Sequence, residues 1–291
     1  MRLYITYFSI LALSGVLSGC YPDESINVPV TTHDVNLTSE IDQYIEENFI
    51  KKYGVAVRYR FVDRYVDPTT RVTPPTLEAV RPMLDIIEDF WIQPFMNIEN
   101  GDQFFREHVP GEVILLGGVI FNGDGSIKLG VADAFARITF TDVNRVDRND
   151  EDWLALTLNT VYHEFAHIHH FRHDFPPGFE RISPEGYSSP GGWLNVREEE
   201  ALRRGFVSPY ATSQVADDYA ETVSRYMSEK DFESEFMELE EDCDTPECEA
   251  RNEGRLKIRE KIAAIAQHYQ TSVGVDLHQM RAAVQTILAQ Q

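Results

Sequence analysis

Apolar side chains recur at helical spacing in some stretches of the chain and alternate with polar ones in others. Residues 38–54 keep helical spacing between a Thr38/Ser39 cap and Gly54, which predicts an amphipathic helix. Residues 55–63 alternate between apolar and polar side chains and predict a strand. Residues 76–95 predict a second amphipathic helix, with a kink at Pro82.

The rest of the chain adds strands first and then mostly helices. Residues 112–130 have the pattern of a strand, a turn at residues 122–125 and a second strand, and residues 136–143 predict another strand. Asn149 and Asp150 cap a long predicted helix over residues 151–170, and a loop rich in Pro, Gly and Ser covers residues 174–192. Further helices are predicted over residues 196–204, 216–230, 251–268 and 276–289.

This order of elements predicts an α+β fold. A small N-terminal sheet with helices is followed by a mostly helical C-terminal part, within one domain over residues 39–291. There is no internal repeat, and no linker long enough to indicate two independent domains.

The first residues have a different pattern, with an apolar run from Leu3 to Leu17 after the charged Arg2. The run is too short for a stable membrane span and is typical of an export signal over residues 1–19. The ending Leu-Ser-Gly-Cys resembles a bacterial lipobox, in which Cys20 is lipidated; an ordinary cleaved signal is the alternative. A polar tether over residues 20–38 follows, and its first acids resemble a surface-export signal. We therefore expect a lipoprotein that is anchored to a membrane without spanning it.

Charge and cysteine content narrow the class of protein. The chain carries 26 Lys and Arg against 48 Asp and Glu, a net charge of −22. So acidic a protein repels nucleic acid, which excludes a nucleic-acid partner. Beyond Cys20, the chain has Cys243 and Cys248, which could close a small disulfide loop in an exported protein; free thiols are the alternative.

The candidate chemistry lies in residues 161–173, VYHEFAHIHHFRH. His163 and His167 are four residues apart, so on a helix both imidazoles lie on one face and can bind one Zn²⁺. Glu164 lies one step round the helix, where it can act as a general base toward a zinc-activated water. The flanking side chains are apolar, which suits a helix that is buried apart from its metal face.

A catalytic zinc needs a third protein ligand, and the sequence offers two answers. His173 gives the spacing HExxHxxHxxH, although His170 stands where the metzincin pattern has a glycine at a sharp turn. Alternatively, Asp217 and Glu221 are four residues apart in VADDYAET and would lie on one face of a helix. One acid would bind the metal and the other would orient a ligand histidine.

The lipobox, HEFAHIHH, Trp193, GFVSPYA and DDYAE, in this order, resemble the substrate import-associated zinc metallohydrolase lipoproteins of Bacteroidetes, from about residue 40 to the C-terminus. The resemblance implies a zincin-like zinc metallopeptidase that acts on a peptide or protein substrate. It also implies a location at the outer membrane, at its periplasmic face or the cell surface, and a link to a TonB-dependent import system. The alternative is an accessory or binding subunit of such a system with a structural zinc, and the intact Glu164 argues against it.

The expected site layout is similar to that of anthrax lethal factor, because Tyr210, Asp217 and Glu221 reproduce its spacing. The resemblance implies that Asp217 completes the ligand set, that Glu221 orients a ligand histidine and that Tyr210 donates a hydrogen bond to the oxyanion. Asp217 is one methylene shorter than the glutamate of the pattern, so Glu221 remains the alternative ligand. Asp217 is favoured over Glu221, and both are favoured over His173.

Overall fold

The computed structural model describes residues 39–62, 69–121, 127–128, 130–133, 137–189 and 191–290. The predicted signal peptide, the lipidated Cys20 and the tether up to residue 38 lie outside the described residues, as does the predicted turn at residues 122–125. Among the helices of the described part, none is both long and apolar enough to cross a bilayer.

Four strands form one sheet: β1 (Ala56–Arg58), β2 (Glu112–Leu115), β5 (Gly130–Asp133) and β6 (Arg137–Phe140). Their order in the sheet is β1-β2-β6-β5. β1, β2 and β6 are parallel, while β5 pairs antiparallel with β6. A separate hairpin joins β3 (Ile120–Phe121) to β4 (Ile127–Lys128). The strands are shorter than predicted, β1 most of all.

The N-terminal helices pack around this sheet. The first runs through α1 (Glu40–Ile45), a π-helical segment and α2 (Lys51–Tyr53), with Ser39 as its N-cap. The second runs from α3 (Leu77–Ile86) through another π-helical segment to α4 (Gln93–Met96), and it continues past Pro82. A further helix that the sequence pattern did not predict is α5 (Gly101–His108).

The long helix α6 (Glu151–His173) carries the HEFAH motif. The carboxylate of Asp150 caps it by accepting a hydrogen bond from the Trp153 backbone N–H, at 3.0 Å. Phe165, within the motif, is buried and packs its ring 5.7 Å from that of Trp91 and 5.3 Å from that of Phe95. The back of the motif is therefore anchored in the aromatic core.

α6 ends three residues later than predicted, and this corrects one expectation about the site. His170 lies inside the helix, so the sharp turn required by the HExxHxxHxxH pattern does not form. His173 therefore lies ten residues, or about 15 Å along the helix axis, beyond His163.

The C-terminal part is helical, as predicted. Its helices are α7 (Glu198–Arg204), α8 (Val215–Ser228), α9 (Phe232–Phe236), α10 (Pro246–Ser272) and α11 (Leu277–Leu288). The short α9 was not predicted, and α10 extends beyond the predicted helix at both ends. The α+β prediction is confirmed. α8 packs along α6, and this contact brings together the two halves of the candidate site.

The two C-terminal cysteines are joined. Cys243 and Cys248 form a disulfide with their Cα atoms 5.5 Å apart, at the start of α10. Their sulfurs lie near the carboxylate of Glu240, which is held by Arg251 and Arg255 at 2.6 Å each. Because the thiols are used in the disulfide and the carboxylate in ion pairs, this group does not compete with the histidine motif as a metal site.

Candidate metal centre

Three donor atoms converge where α6 and α8 meet. The Nε2 atoms of His163 and His167 lie 3.0 Å apart, and His167 Nε2 lies 3.7 Å from Asp217 Oδ1. All three residues can place a ligand atom within 4.8 Å of the other two. The structure thus brings together the two motif histidines and the first of the two candidate carboxylates.

These separations fit a zinc ion. Zinc in tetrahedral coordination, with bonds of about 2.0–2.1 Å, keeps its ligand atoms about 3.3 Å apart. The observed 3.0 and 3.7 Å lie on either side of that spacing. Two imidazoles and one carboxylate are also a typical ligand set of a catalytic zinc. The residues present therefore fit a zinc that keeps an open coordination position.

Glu221 contacts His163 on the side of the imidazole that faces away from the metal position. Its Oε1 lies 2.9 Å from His163 Nδ1, while its Oε2 accepts hydrogen bonds from Ser208 Oγ at 2.7 Å and from Arg225 Nε at 3.3 Å. Burial acts to raise the pKa of Glu221, but His163, Arg225 and Ser208 outweigh burial and lower the pKa to about 2. Both oxygens of this ionised carboxylate are therefore engaged away from the metal position.

This contact also fixes the tautomer of His163. An ionised carboxylate can only accept, so Nδ1–H of His163 donates to Glu221, and in the neutral imidazole Nε2 is the nitrogen that carries the lone pair. That lone pair lies on the side of His167, where the donor atoms converge. A carboxylate behind a ligand histidine also raises the basicity of the imidazole.

His167 has a neighbour that sequence reasoning missed. Its Nδ1 lies 2.9 Å from Nε2 of His170, a buried residue whose ring stacks 4.5 Å from that of Phe175. Burial, together with the nearby His163 and His170, lowers the pKa of His167 to about 3. His167 is therefore neutral at physiological pH, the form in which imidazole binds metals.

Asp217 is buried in the first turn of α8, where a negative charge is favoured by the helix dipole. Ser213 Oγ donates a hydrogen bond to its Oδ2, which leaves Oδ1 on the side of His167. Ser213, Asp217, Glu221 and Arg225 follow one another at four-residue spacing. This spacing was present in the sequence and could have identified Ser213 and Arg225 as supports of the two acids.

Tyr210 lies over the site at the start of a 3-10 turn. Its ring stacks 5.9 Å from that of His163 and meets the ring of Trp193 edge-on at 5.0 Å. Burial, with the charges of Asp217, Glu221 and Glu164, raises the pKa of Tyr210 to about 12. The phenol therefore keeps its proton at physiological pH and can donate a hydrogen bond.

Glu164 stands beside the converging donors on the neighbouring face of α6 and is partly buried. Its negative charge acts to raise the pKa of both His163 and Tyr210. A carboxylate in this position can accept a proton from a molecule that lies between it and the three donors.

The remaining motif histidines lie apart from the donors. His173 Nε2 lies 2.7 Å from Nε2 of His108 on α5, and His169 Nδ1 lies 2.7 Å from the hydroxyl of Tyr219 while its ring stacks 4.0 Å from Tyr269. The structure thus does not bring His173 to the metal position. Its partner is 65 residues away in sequence, so no local pattern could have indicated this contact.

The fold and this site define a class of protein: an α+β chain with an HExxH helix whose histidines meet a carboxylate from a second helix. Residues 34–278 match the family described as "Putative zinc-binding metallo-peptidase", and the chain belongs to that family. The crystal structure of a putative zinc-binding metallo-peptidase from Bacteroides caccae is similar to this chain, with a TM-score of 0.68 and 22% sequence identity. The match covers 84% of this chain and 90% of that chain, and it establishes the fold. No curated protein matches the chain.

Proposed function

We propose that this protein is a zinc-dependent peptidase whose single zinc is held by His163, His167 and Asp217. The observation that carries the proposal is the convergence of two Nε2 atoms and one Oδ1 atom beside the partly buried Glu164. A purely structural zinc is usually closed by four protein ligands, whereas three donors converge here among the residues that the structure describes, so a fourth position would be left for water or substrate.

The roles of the side chains follow from their positions. A bound zinc would supply a Lewis acid that polarises the scissile carbonyl and lowers the pKa of a water molecule. Glu164 accepts the proton that the attacking water loses and passes it to the leaving amine. Tyr210 donates a hydrogen bond to the carbonyl oxygen as that oxygen becomes negative. Glu221 keeps His163 in the tautomer whose Nε2 can bind.

Replacing Glu164 by Gln tests this assignment. The amide keeps the size of the side chain but cannot accept a proton as a base, so hydrolysis of a peptide library should fall by about 10²–10⁴-fold while zinc content stays unchanged. Glu151→Gln is the matched control, because Glu151 is an exposed acid in the first turn of the same helix. Full hydrolysis by Glu164→Gln would refute the base assignment.

We further propose that the protein is attached to the outer membrane through a lipidated Cys20 and works beside TonB-dependent import proteins. The Leu-Ser-Gly-Cys sequence supports the lipid anchor, and the resemblance to import-associated lipoproteins supports the partner. Metabolic labelling with an alkyne-tagged fatty acid should mark the wild-type protein and leave Cys20→Ser unmarked. Equal labelling of both proteins, or of neither, would refute the anchor.

A further inference from the structure

The metal face of α6 extends beyond the metal site. Successive residues of an α-helix are rotated by about 100°, so Leu156, Thr160, His163, His167 and Phe171 fall within an arc of about 80°. Leu156 and Phe171 are 45% and 58% exposed, which shows that this stripe borders solvent on both sides of the site. A substrate that lies along the stripe would meet Thr160 and Leu156 on one side of the donors.

A small cavity opens at this end of the stripe. Phe140 at the end of β6 and Trp153 of α6 are buried walls, and Leu156 and Thr160 lie on the side nearer the site. Its volume of about 20 Å³ is room for one or two groups of the size of a water molecule or a methyl group. The cavity is therefore too small for an aromatic or a long side chain.

Its walls fix both the size and the polarity of what could enter. The indole N–H of Trp153 donates to the carbonyl of Asp142 at 3.2 Å, which holds the ring in place. Asp142 also lines the cavity, and its carboxylate is paired with Arg145 at 3.1 Å. The other walls are Leu156, the rings of Phe140 and Trp153, and three threonines, Thr141, Thr157 and Thr160, which add methyl and hydroxyl groups, so the cavity favours a small uncharged group over a charged one.

The cavity lies close enough to Glu164 for a substrate side chain to reach it. Thr160 lies one helical turn, about 5.4 Å, before Glu164, and Leu156 lies one turn further. An extended substrate peptide advances about 3.3 Å per residue. If its scissile bond lies beside Glu164, a substrate side chain one or two residues away from that bond reaches the cavity. The cavity is thus within one or two residues of the place where the peptide bond would be cut.

We propose that this cavity is a specificity subsite that accepts a small apolar side chain, such as that of alanine or valine, close to the scissile bond of a peptide substrate. The proposal rests on the proposed peptidase function, and it adds the substrate class that this function lacks. One extra or one missing methylene on a substrate side chain in an apolar pocket changes kcat/KM by about 10–200-fold. We therefore expect peptides with alanine or valine at one position to be cut at least 10-fold faster than those with phenylalanine.

Two variants change the cavity in opposite directions. Thr160→Leu fills it, and should lower kcat/KM for the alanine peptide about 10-fold or more. Leu156→Ala widens the cavity. It should raise kcat/KM for peptides with leucine or phenylalanine at this position, relative to the peptide with alanine, by a similar factor. Leu256→Ala on α10 is the matched control, because Leu256 is 49% exposed against 45% for Leu156 and should leave the preference unchanged.

Cleavage and binding are measured separately, so that a failed subsite can be told from a failed enzyme. The purified wild-type protein is incubated with zinc and a peptide library, and the products are sequenced. Fluorescence anisotropy then follows the binding of labelled alanine and phenylalanine peptides to zinc-treated Glu164→Gln. Cleavage without preference at any position, or preferences of Leu156→Ala and Thr160→Leu equal to those of Leu256→Ala, would overturn the subsite. If the wild-type protein cleaves no peptide of the library, the proposed peptidase function fails. The subsite is then overturned as well if Glu164→Gln binds the alanine and phenylalanine peptides equally or binds neither.

Discussion

Lys261 and Asp218 form an ion pair behind the metal site, and removing the lysine should destabilise the fold strongly. Lys261 Nζ lies 2.8 Å from Asp218 Oδ2 and 2.7 Å from the carbonyl oxygen of Gly205, and both charged side chains have 0% exposure. Asp218 also accepts a hydrogen bond from the Tyr187 hydroxyl at 2.8 Å. Burial acts to raise the pKa of Asp218 and to lower the pKa of Lys261. Lys261 and Asp218 therefore stay charged in the buried interior because each stabilises the charge of the other.

The magnitude follows from what each substitution leaves buried. Lys261→Met keeps the length of the side chain but leaves Asp218 without its cation, and breaking a buried pair in this way costs about 3–5 kcal/mol. Because Tyr187 still donates to Asp218, we expect a loss near the lower end, about 3 kcal/mol. The double variant Lys261→Met, Asp218→Asn carries no buried charge, so it should be more stable than the single variant by about 1–2 kcal/mol.

Urea unfolding of the three proteins, followed by circular dichroism in the presence of a chelator, measures these differences without a contribution from bound metal. Lys230→Met is the control, because Lys230 is exposed and its loss should change stability by about 0.5 kcal/mol or less. A loss below about 1 kcal/mol for Lys261→Met, or a double variant less stable than the single one, would refute this reasoning.

Three further predictions concern the site and its surroundings. Tyr210→Phe should keep its zinc but lower kcat by about 10²–10³-fold, because it loses the donor to the oxyanion; an unchanged kcat measured with the best library peptide would remove Tyr210 from the mechanism. Glu221→Gln should weaken zinc binding by about 10–100-fold, measured by competition with a chelator, because it no longer carries the charge that holds His163; unchanged affinity would contradict this. Burial lowers the pKa of His108 from 6.5 to about 4, so between these values the folded chain binds fewer protons than the unfolded chain. Stability is therefore fully present above pH 6.5 and falls as the pH drops through this window. In urea titrations of zinc-free protein, wild type should lose about 2 kcal/mol more than His108→Gln between pH 7 and 5; equal losses would show that His108 does not carry this effect.

The elements that sequence patterns predicted well have strong local signals. The long helix α6 begins at a capping aspartate, Asp150, and its apolar side chains keep helical spacing, so the placement of His163, Glu164 and His167 on it was predictable. The four-residue spacing of Asp217 and Glu221 likewise predicted that both acids lie on one face of a helix.

What the patterns left open depends on contacts between distant residues. The spacing alone could not decide between Asp217 and Glu221, because both occupy equivalent positions on the face of α8, and the preference for Asp217 rested on the resemblance. The structure separates them because Ser208 and Arg225 occupy one oxygen of Glu221 and His163 the other. The end of α6 was also missed, since residues 171–173 carry no stop signal. α5 was missed as well, although its aromatic side chains pack in the core.

The most direct test of the account is the zinc content of the purified protein after dialysis, measured by mass spectrometry for wild type, Asp217→Ala and His173→Ala. We expect about one zinc per molecule in wild type and in His173→Ala, and a loss of zinc in Asp217→Ala, because Asp217 meets His163 and His167 at the metal position whereas His173 contacts His108 instead. A wild type without zinc, or an Asp217→Ala variant that holds zinc as tightly as wild type, would contradict the account.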